Sequence, residues 1–180
     1  IRAKKLAGMV NNLTQRVIMM DGHGRILLQF LHEVIQKHGE KRLNNLHITL
    51  IDMDANVTLW HKSVYKCEYI ESMEEDIFVN YASGKLSWRT TLLYLNFCGA
   101  GKSFGTLLQF VENTVWPLMV SFSSARGGKK NENKFEGVKN THMSRECVSK
   151  RSDGFLTYIF DFNEFHKKAM IVINLIEYEK

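Results

Sequence analysis

The sequence predicts an α/β fold: a doubly wound, mainly parallel seven-stranded sheet with helices on both faces and a C-terminal antiparallel hairpin. Two observations carry this prediction. Five short apolar runs alternate with segments of helical periodicity, which is the pattern of repeated β-α-β units. The last two apolar runs, 155–162 and 169–178, are joined by residues 163–168 alone, a connection too short for a parallel crossover.

Each strand is predicted from a short apolar run. The clearest is 91–97, apolar almost throughout, as expected of a strand buried on both faces of a parallel sheet. The other strands are expected at 16–20, 46–51, 67–70 (weak and short), 118–122, 155–162 and 169–178.

Helices are expected between the first five strands. Apolar residues recur at helical spacing from Ile26 to Ile35, and Gly39 ends that helix. Asp54 or Asn56 can cap the next helix, since either side chain can accept a bond from a first-turn amide. Ser72-Met73-Glu74-Glu75 resembles a capping box.

Two further helical patterns lie around the fourth strand. The one before it runs through Ile77, Phe78 and Tyr81 and ends at Gly84. The one after it carries apolar residues at Phe104, Leu107, Leu108 and Val111.

Composition fits one domain over residues 1–180, with 44% hydrophobic residues. No apolar run approaches the ~20 residues that a membrane span needs, so no membrane association is expected. Cys67, Cys98 and Cys147 are odd in number and widely spaced, which favours a reducing, intracellular compartment over a disulfide framework. The histidines lack paired metal-ligand spacing, so no metal site is expected.

Residues 123–154 change in character and predict a long basic surface loop rich in Gly, Lys, Asn, Ser and Arg. Between Arg126 and Asp153, eight basic and four acidic residues give +4 of the formal net charge of +5. Such a loop is expected to bind the phosphates of RNA or DNA, with Arg126, Lys129 and Lys130 as candidate substrate-binding residues. A solvated insertion is the alternative interpretation.

Polar residues follow the first four predicted strands, and parallel strands bring their carboxyl ends to one cleft. Candidate cofactor-binding residues there are Asp21, Gly22, His23, Gly24, Asp52, Met53, Asp76, Ile77 and Asn96. Glycines permit a sharp turn and close backbone approach, and an acid after the second strand can accept bonds from both ribose hydroxyls. Asp76 can accept from an exocyclic amine while Met53 and Ile77 sandwich an adenine ring. As alternatives, Gly22 and Gly24 can simply make a strand-to-helix turn, Asp52 can be a helix cap, and Asp76 can be an exposed first-turn acid favoured by the helix dipole.

This set resembles the class I S-adenosylmethionine-dependent methyltransferases. Asp21-Gly22-His23-Gly24 stands at the family's glycine-rich first motif, with Arg25 at its third small position, Asp52 at the ribose-binding acid and Asp76-Ile77-Phe78 at the adenine. The resemblance implies S-adenosylmethionine as cofactor and methyl transfer as the reaction.

The resemblance also implies where the acceptor lies. Asn96-Phe97-Cys98-Gly99 stands at the fourth motif, where amino-methylating enzymes have an Asn or Asp, two prolines and an aromatic residue; the prolines are absent here. Asn96 is therefore a candidate catalytic residue for holding a target amine. Cys98 is the second, since cytosine-5 methyltransferases place a nucleophilic cysteine in this region.

Two other functions stay open. A degenerate fourth motif suits an inactive cofactor-binding subunit that supports an active protein partner or forms a homo-oligomer. Gly99-Ala100-Gly101-Lys102-Ser103 suits a phosphate-binding loop of a nucleotide enzyme, with Asp161 as its magnesium-binding acid.

Overall fold

The structure is a computed structural model, and it describes residues 1–23, 25–74, 76–78, 90–97, 102–114, 117–123, 128–140, 143–150 and 155–162. Its elements are α1 (Arg2–Met9), β1 (Arg16–Met20), α2 (Arg25–His38), α3 (Glu40–Asn44), β2 (His47–Asp52), α4 (Ala55–Val64), β3 (Ile70–Glu74), β4 (Thr91–Phe97), α5 (Lys102–Asn113), β5 (Leu118–Ser123), α6 (Gly128–Glu136), β6 (Met143–Lys150) and β7 (Phe155–Phe162).

The described strands form one seven-stranded sheet in the order β3-β2-β1-β4-β5-β7-β6. The strands β1 to β5 are parallel, whereas β7 runs antiparallel to β5 and β6 antiparallel to β7. The order turns back at β1, which lies between β2 and β4. The predicted fold class, including its antiparallel end, is confirmed.

The two faces of the sheet pack against two separate hydrophobic cores. On one face Met19 and Tyr94 pack with residues of α1 and α2 such as Leu6 and Phe30. The other face carries a second core, which includes Ile18, Leu93, Leu95, Leu107, Phe110, Phe122 and Phe135. Because a strand's side chains alternate between faces, a residue's place in this pattern fixes which core it borders.

The cap of α4 resolves one alternative. The Asp54 carboxylate accepts a bond from the Asn56 amide at 2.9 Å, so Asp54 is the cap. The helix from Arg25 to His38 ends before Gly39, as predicted, and Gly39 adopts a φ of +86°.

The third strand is displaced from its prediction. It spans Ile70–Glu74, paired with β2 from Ile48 to Asp52, and the expected strand 67–70 overlaps it only at Ile70. Ser72-Met73-Glu74 is therefore strand, and the capping-box interpretation is wrong there. Hydrogen bonding to β2, which is itself paired on both sides, decides the conformation here and overrides the local preference of these residues for a helix N-terminus. Ile77 and Phe78 are helical, while Tyr81 and Gly84 lie outside the described residues.

The prediction of one long loop over 123–154 is also wrong. This segment holds α6 and β6, and β6 pairs with β7 in the observed hairpin. The predicted partner strand 169–178 and its connection 163–168 lie outside the described residues. The sequence of this segment resembles a loop because α6 buries only Phe135 among its described side chains. In addition, β6 lies at the edge of the sheet formed by the described strands and is rich in polar residues, as edge strands commonly are.

An unpredicted helix, α1, opens the chain. Ala3, Leu6, Ala7 and Val10 are buried at helical spacing against the α2 side of the sheet. Lys5 pairs with Glu146 of β6 at 2.7 Å, so the helix also reaches toward the far edge of the sheet. None of the described helices is long and apolar enough to cross a bilayer.

Candidate site at the carboxyl edge of the sheet

The carboxyl ends of β1 to β5 share one edge, called here the carboxyl edge. The ladders pair Met20 with Leu95 and Asp52 with Glu74, so Asp21, Asp52 and Asn96 all lie at this edge. Asp76 follows two residues after β3. The sheet therefore brings the predicted strand-end residues to the same side of the molecule.

Asp21 lies inside the turn between β1 and α2. It is 6% exposed, and its Oδ2 accepts bonds from the amides of Ile26 at 2.8 Å and Leu27 at 3.0 Å. These amides belong to the first turn of α2, where unpaired donors and the helix dipole favour a negative charge. The anion expected at this helix terminus is thus the protein's own carboxylate.

Gly22 adopts a φ of +53°. No described atom lies within 4 Å of the position that a Cβ would take, so the backbone angle, and not lack of space, requires glycine. Gly24 lies outside the described residues, and Arg25 begins α2.

Two adjacent residues of α4 contact this turn. His61 is 1% exposed, and its Nε2 lies at hydrogen-bond distance from the Gly22 carbonyl. The ring of Trp60 meets that of His23 edge-on, with centroids 5.1 Å apart. Sequence reasoning missed this role of His61. The sequence carried no signal for it, because only the structure shows that Thr58 and His61 form the buried face of α4.

Asp52 ends β2 and is half-buried. Its Oδ1 accepts a bond from the Asp54 amide at 2.8 Å, which leaves Oδ2 without a partner among the described residues. Met53 beside it is 68% exposed. A fixed carboxylate with one available oxygen at a sheet edge can accept bonds from ligand hydroxyls.

Asp76 is half-buried, and its Oδ1 accepts a bond from the Phe78 amide at 2.8 Å. Ile77 is 3% exposed and packs in the core with Leu93 and Phe110. Of the two residues predicted to sandwich a ring, Met53 is thus at the surface and Ile77 in the core.

Asn96 lies on the α2 face of β4, because it follows Tyr94 by two residues and side chains two apart on a strand share a face. Its neighbour on β5 is Ser121, and Asp21 follows directly after the β1 residue paired with Leu95. The Asn96 Oδ1 is buried with no hydrogen-bond donor among the described residues. Cys98 lies outside them.

Tyr94 lies next to Asn96 on the same face of β4, two residues earlier in the strand. The Tyr94 hydroxyl is buried and accepts a bond from Arg2 of α1 at 3.3 Å. Burial, reinforced by the charge of Asp21, raises the pKa of Tyr94 to about 12. The Arg2 guanidinium also lies over the Phe155 ring, with Cζ 4.4 Å from its centroid, so α1 contributes to this side of the site.

The basic residues of 123–154 divide into two groups. Lys129 and Lys130 are exposed on α6, whereas Arg126 lies outside the described residues. Arg145 instead donates to the carbonyls of Phe135 and Glu136 at 3.0 and 2.7 Å and pairs with the Glu136 carboxylate. Arg145 thus caps the C-terminal end of α6. Its positive charge, which the sequence predicts to contribute to phosphate binding, stabilises the fold.

The phosphate-loop interpretation loses its proposed magnesium-binding acid. Because β7 is antiparallel to β5 and pairs Phe160 with Leu118, Asp161 lies at the amino edge of the sheet, opposite the end of β4. Gly99 to Gly101 lie outside the described residues, and Lys102 begins α5.

Comparison with known proteins supports the fold. No protein-family model and no curated protein sequence matches the chain. The chain is structurally similar to an rRNA methylase from Streptococcus thermophilus (TM-score 0.56, 11% identity, covering 90% of this chain and 95% of that one). It is also similar to the fibrillarin pre-rRNA processing protein of Methanococcus jannaschii (0.55, 6%, 85% and 69%).

A third similar structure is human N-acetylserotonin methyltransferase in complex with S-adenosylmethionine (TM-score 0.51, 10% identity, covering 91% of this chain and 52% of that one). Together with the sheet order, these likenesses show that the chain has the fold of the class I S-adenosylmethionine-dependent methyltransferases.

Proposed function

We propose that this chain binds S-adenosylmethionine at the carboxyl edge and transfers its methyl group. The observation that carries the proposal is Asp52, a half-buried strand-end carboxylate with one oxygen held by the Asp54 amide and the other available. It lies at the same edge as the left-handed turn at Gly22. These residues fit an adenosine, because the carboxylate can accept from ribose hydroxyls while the turn lets the backbone approach closely.

The other proposed contacts surround this pair. Asp21 acts indirectly by shaping the turn, since its carboxylate is engaged with the amides of α2. The remaining residues proposed to line the cofactor are His23, Gly24, Met53, Asp76, Ile77 and Asn96. The similar methyltransferase solved with S-adenosylmethionine supports this choice of cofactor.

Bound S-adenosylmethionine supplies an electrophilic methyl group. The protein's contribution is orientation, which can supply several kcal/mol toward an in-line displacement. The buried, unpartnered Oδ1 of Asn96 is suited to accept an N–H of the acceptor and so hold its nitrogen in line. Cys98 remains the second candidate for acceptor chemistry.

We propose RNA as the acceptor class. Exposed Lys129 and Lys130 lie on α6, which begins five residues after β5 ends at the carboxyl edge. Lysines there, together with Arg126, can contact phosphates without reading sequence. Two structurally similar proteins, an rRNA methylase and a pre-rRNA processing protein, support this choice.

Calorimetry separates the proposal from its alternatives. We expect the folded protein to bind S-adenosylmethionine and Asp52→Ala to abolish that binding. Glu68→Ala, which removes an exposed acid before β3, is the matched control and should bind as wild type does. Absence of binding to the wild type contradicts the proposal, and magnesium-dependent ATP binding supports a nucleotide enzyme. If the protein binds S-adenosylmethionine but a methyl-transfer assay with RNA shows no product, RNA is not the acceptor, and an inactive cofactor-binding subunit is favoured.

A further inference from the structure

The turn after β1 is held from outside by α4. Gly22 and His23 are adjacent in the turn, and His61 and Trp60 are adjacent in the helix. His61 contacts the Gly22 carbonyl through Nε2, and Trp60 meets the His23 ring edge-on at 5.1 Å. Two consecutive residues of each element are therefore in contact, which ties the turn to the helix that follows Asp52.

The chemistry of the His61 contact fixes its direction. A carbonyl oxygen only accepts, so Nε2 carries the proton and donates. The other ring nitrogen, Nδ1, is buried without a hydrogen-bond partner among the described residues. The polar interaction that His61 makes within the described structure is thus the one with Gly22, in a ring that is 1% exposed.

The surroundings of His61 explain why the ring is held in place. Its centroid lies 5.6 Å from that of Trp60 and 6.1 Å from that of Tyr65. Burial, with the charge of Asp21 adding to it, raises the pKa of the Tyr65 hydroxyl. The Asp21 carboxylate is therefore close enough to influence Tyr65 beside His61. The same carboxylate accepts a bond from the Ile26 amide at the α2 end of the turn.

The turn needs an external restraint because glycine permits its conformation without enforcing it. Gly22 has a φ of +53°, and glycine loses more conformational freedom on ordering than other residues do. Asp21 orders the amides of Ile26 and Leu27 beyond the turn, but these bonds leave the Gly22 carbonyl itself unrestrained. A donor on that carbonyl fixes the orientation of the Gly22–His23 peptide.

We propose that His61 is a positioning residue of the cofactor site: its Nε2–H sets the peptide after Gly22 in the orientation that receives the cofactor. This inference rests on the proposed function. It makes affinity depend on a buried side chain of α4, a residue that need not touch the ligand. It also couples the glycine turn to α4, whose capping residue Asp54 holds the Asp52 carboxylate.

Two substitutions of similar size separate hydrogen bonding from packing. His61→Gln keeps an N–H donor near the Nε2 position, whereas His61→Met fills the space without a donor. His47→Met, at a half-buried histidine that pairs with Glu71 at the opposite edge of the sheet, is the control. Each variant is titrated with S-adenosylmethionine by calorimetry, after circular dichroism has confirmed folding.

We expect His61→Met to weaken binding about 10-fold, and His61→Gln and His47→Met to stay within about 3-fold of wild type. Equal affinities for His61→Met and wild type would overturn the proposal. So would an equal loss in the Gln and Met variants, because packing alone would then explain it.

Hydrogen exchange of the ligand-free protein provides an independent readout. Amides of residues 22–27 should exchange faster in His61→Met and at the wild-type rate in His61→Gln. Unchanged exchange in His61→Met overturns the positioning role even if no ligand is used. If wild-type protein binds no S-adenosylmethionine, the proposed function is wrong, and the exchange still decides whether His61 orders the turn.

Discussion

The carboxylate of Asp21 and the backbone amide of Ile26 lie 2.8 Å apart, so the acid that ends the first strand closes the N-terminus of the next helix. The Leu27 amide adds a second bond at 3.0 Å. The carboxylate is buried, and its negative charge compensates the positive end of the α2 dipole. This arrangement orders the first turn of α2, directly beyond the glycine turn, before any ligand arrives.

Asp21→Asn is expected to lower the free energy of unfolding by about 1–3 kcal/mol, because it replaces charge-assisted bonds with neutral ones in a buried place. Urea denaturation measures the effect. Asp54→Asn is the control, since asparagine is also a good helix cap and the loss there should be a few tenths of a kcal/mol. Equal stability of the two variants would mean that the Asp21 charge contributes nothing to the turn.

Tyr94 predicts a loss of stability at alkaline pH. Its pKa is raised to about 12, chiefly by burial, while an unfolded tyrosine titrates near 10. The folded state therefore holds the phenol proton more tightly. Its stabilising contribution is complete below pH about 10 and is lost as pH rises toward about 12, by roughly 2–3 kcal/mol in total.

Tyr94→Phe should remove this pH-dependent contribution. The difference in unfolding free energy between wild type and Tyr94→Phe, measured by urea denaturation from pH 8 to 12, should change steadily above pH about 10. A constant difference across that range would show that the Tyr94 hydroxyl titrates as an exposed phenol. Other tyrosines with raised pKa, such as Tyr158, contribute equally to both proteins and cancel.

The end of α6 should depend on a three-residue network. Arg145 donates to two carbonyls of α6 and pairs with Glu136, whose carboxylate also accepts from the Tyr158 hydroxyl at 2.9 Å. Arg145→Met and Tyr158→Phe should each cost about 1 kcal/mol of stability.

A double-mutant cycle in urea tests whether these two residues act together. Because both meet on Glu136, their combined effect should fall short of the sum of the single effects by about 0.5 kcal/mol or more. Strict additivity, or two neutral variants, would mean that α6 is not held to the hairpin by this network.

Lys129→Glu with Lys130→Glu should weaken binding to a single-stranded RNA and leave cofactor affinity unchanged. Each lost phosphate contact should reduce the slope of log affinity against log salt by about 1. Lys41→Glu with Lys66→Glu, at exposed lysines near the amino edge of the sheet, is the charge-matched control. An equal loss in both pairs would indicate general electrostatic attraction and no interface on α6.

Elements that carry their own apolar signal were predictable. The buried strands at Arg16–Met20 and Thr91–Phe97 stand where their apolar runs predict them, because burial on both faces leaves an uninterrupted pattern. The strand Met143–Lys150, at the edge of the described sheet, was missed for the opposite reason: few of its described side chains are buried, and backbone pairing with β7 decides its conformation.

The candidate site was likewise predictable only in part. Strand ends can be located from sequence, so Asp21, Asp52 and Asn96 were found together at one edge. The contact between His61 and Gly22 joins residues 39 apart and depends on how α4 packs, which periodicity does not encode. The engagement of the Asp21 carboxylate by α2 likewise follows from the geometry of the turn.

A crystal structure of the protein grown with S-adenosylhomocysteine tests the central claim most directly. We expect density for the adenosine at the carboxyl edge, with both ribose hydroxyls within hydrogen-bond distance of the Asp52 carboxylate and the ligand against the turn at Gly22. Ligand density away from Asp52, or an empty carboxyl edge at saturating ligand, would contradict the account.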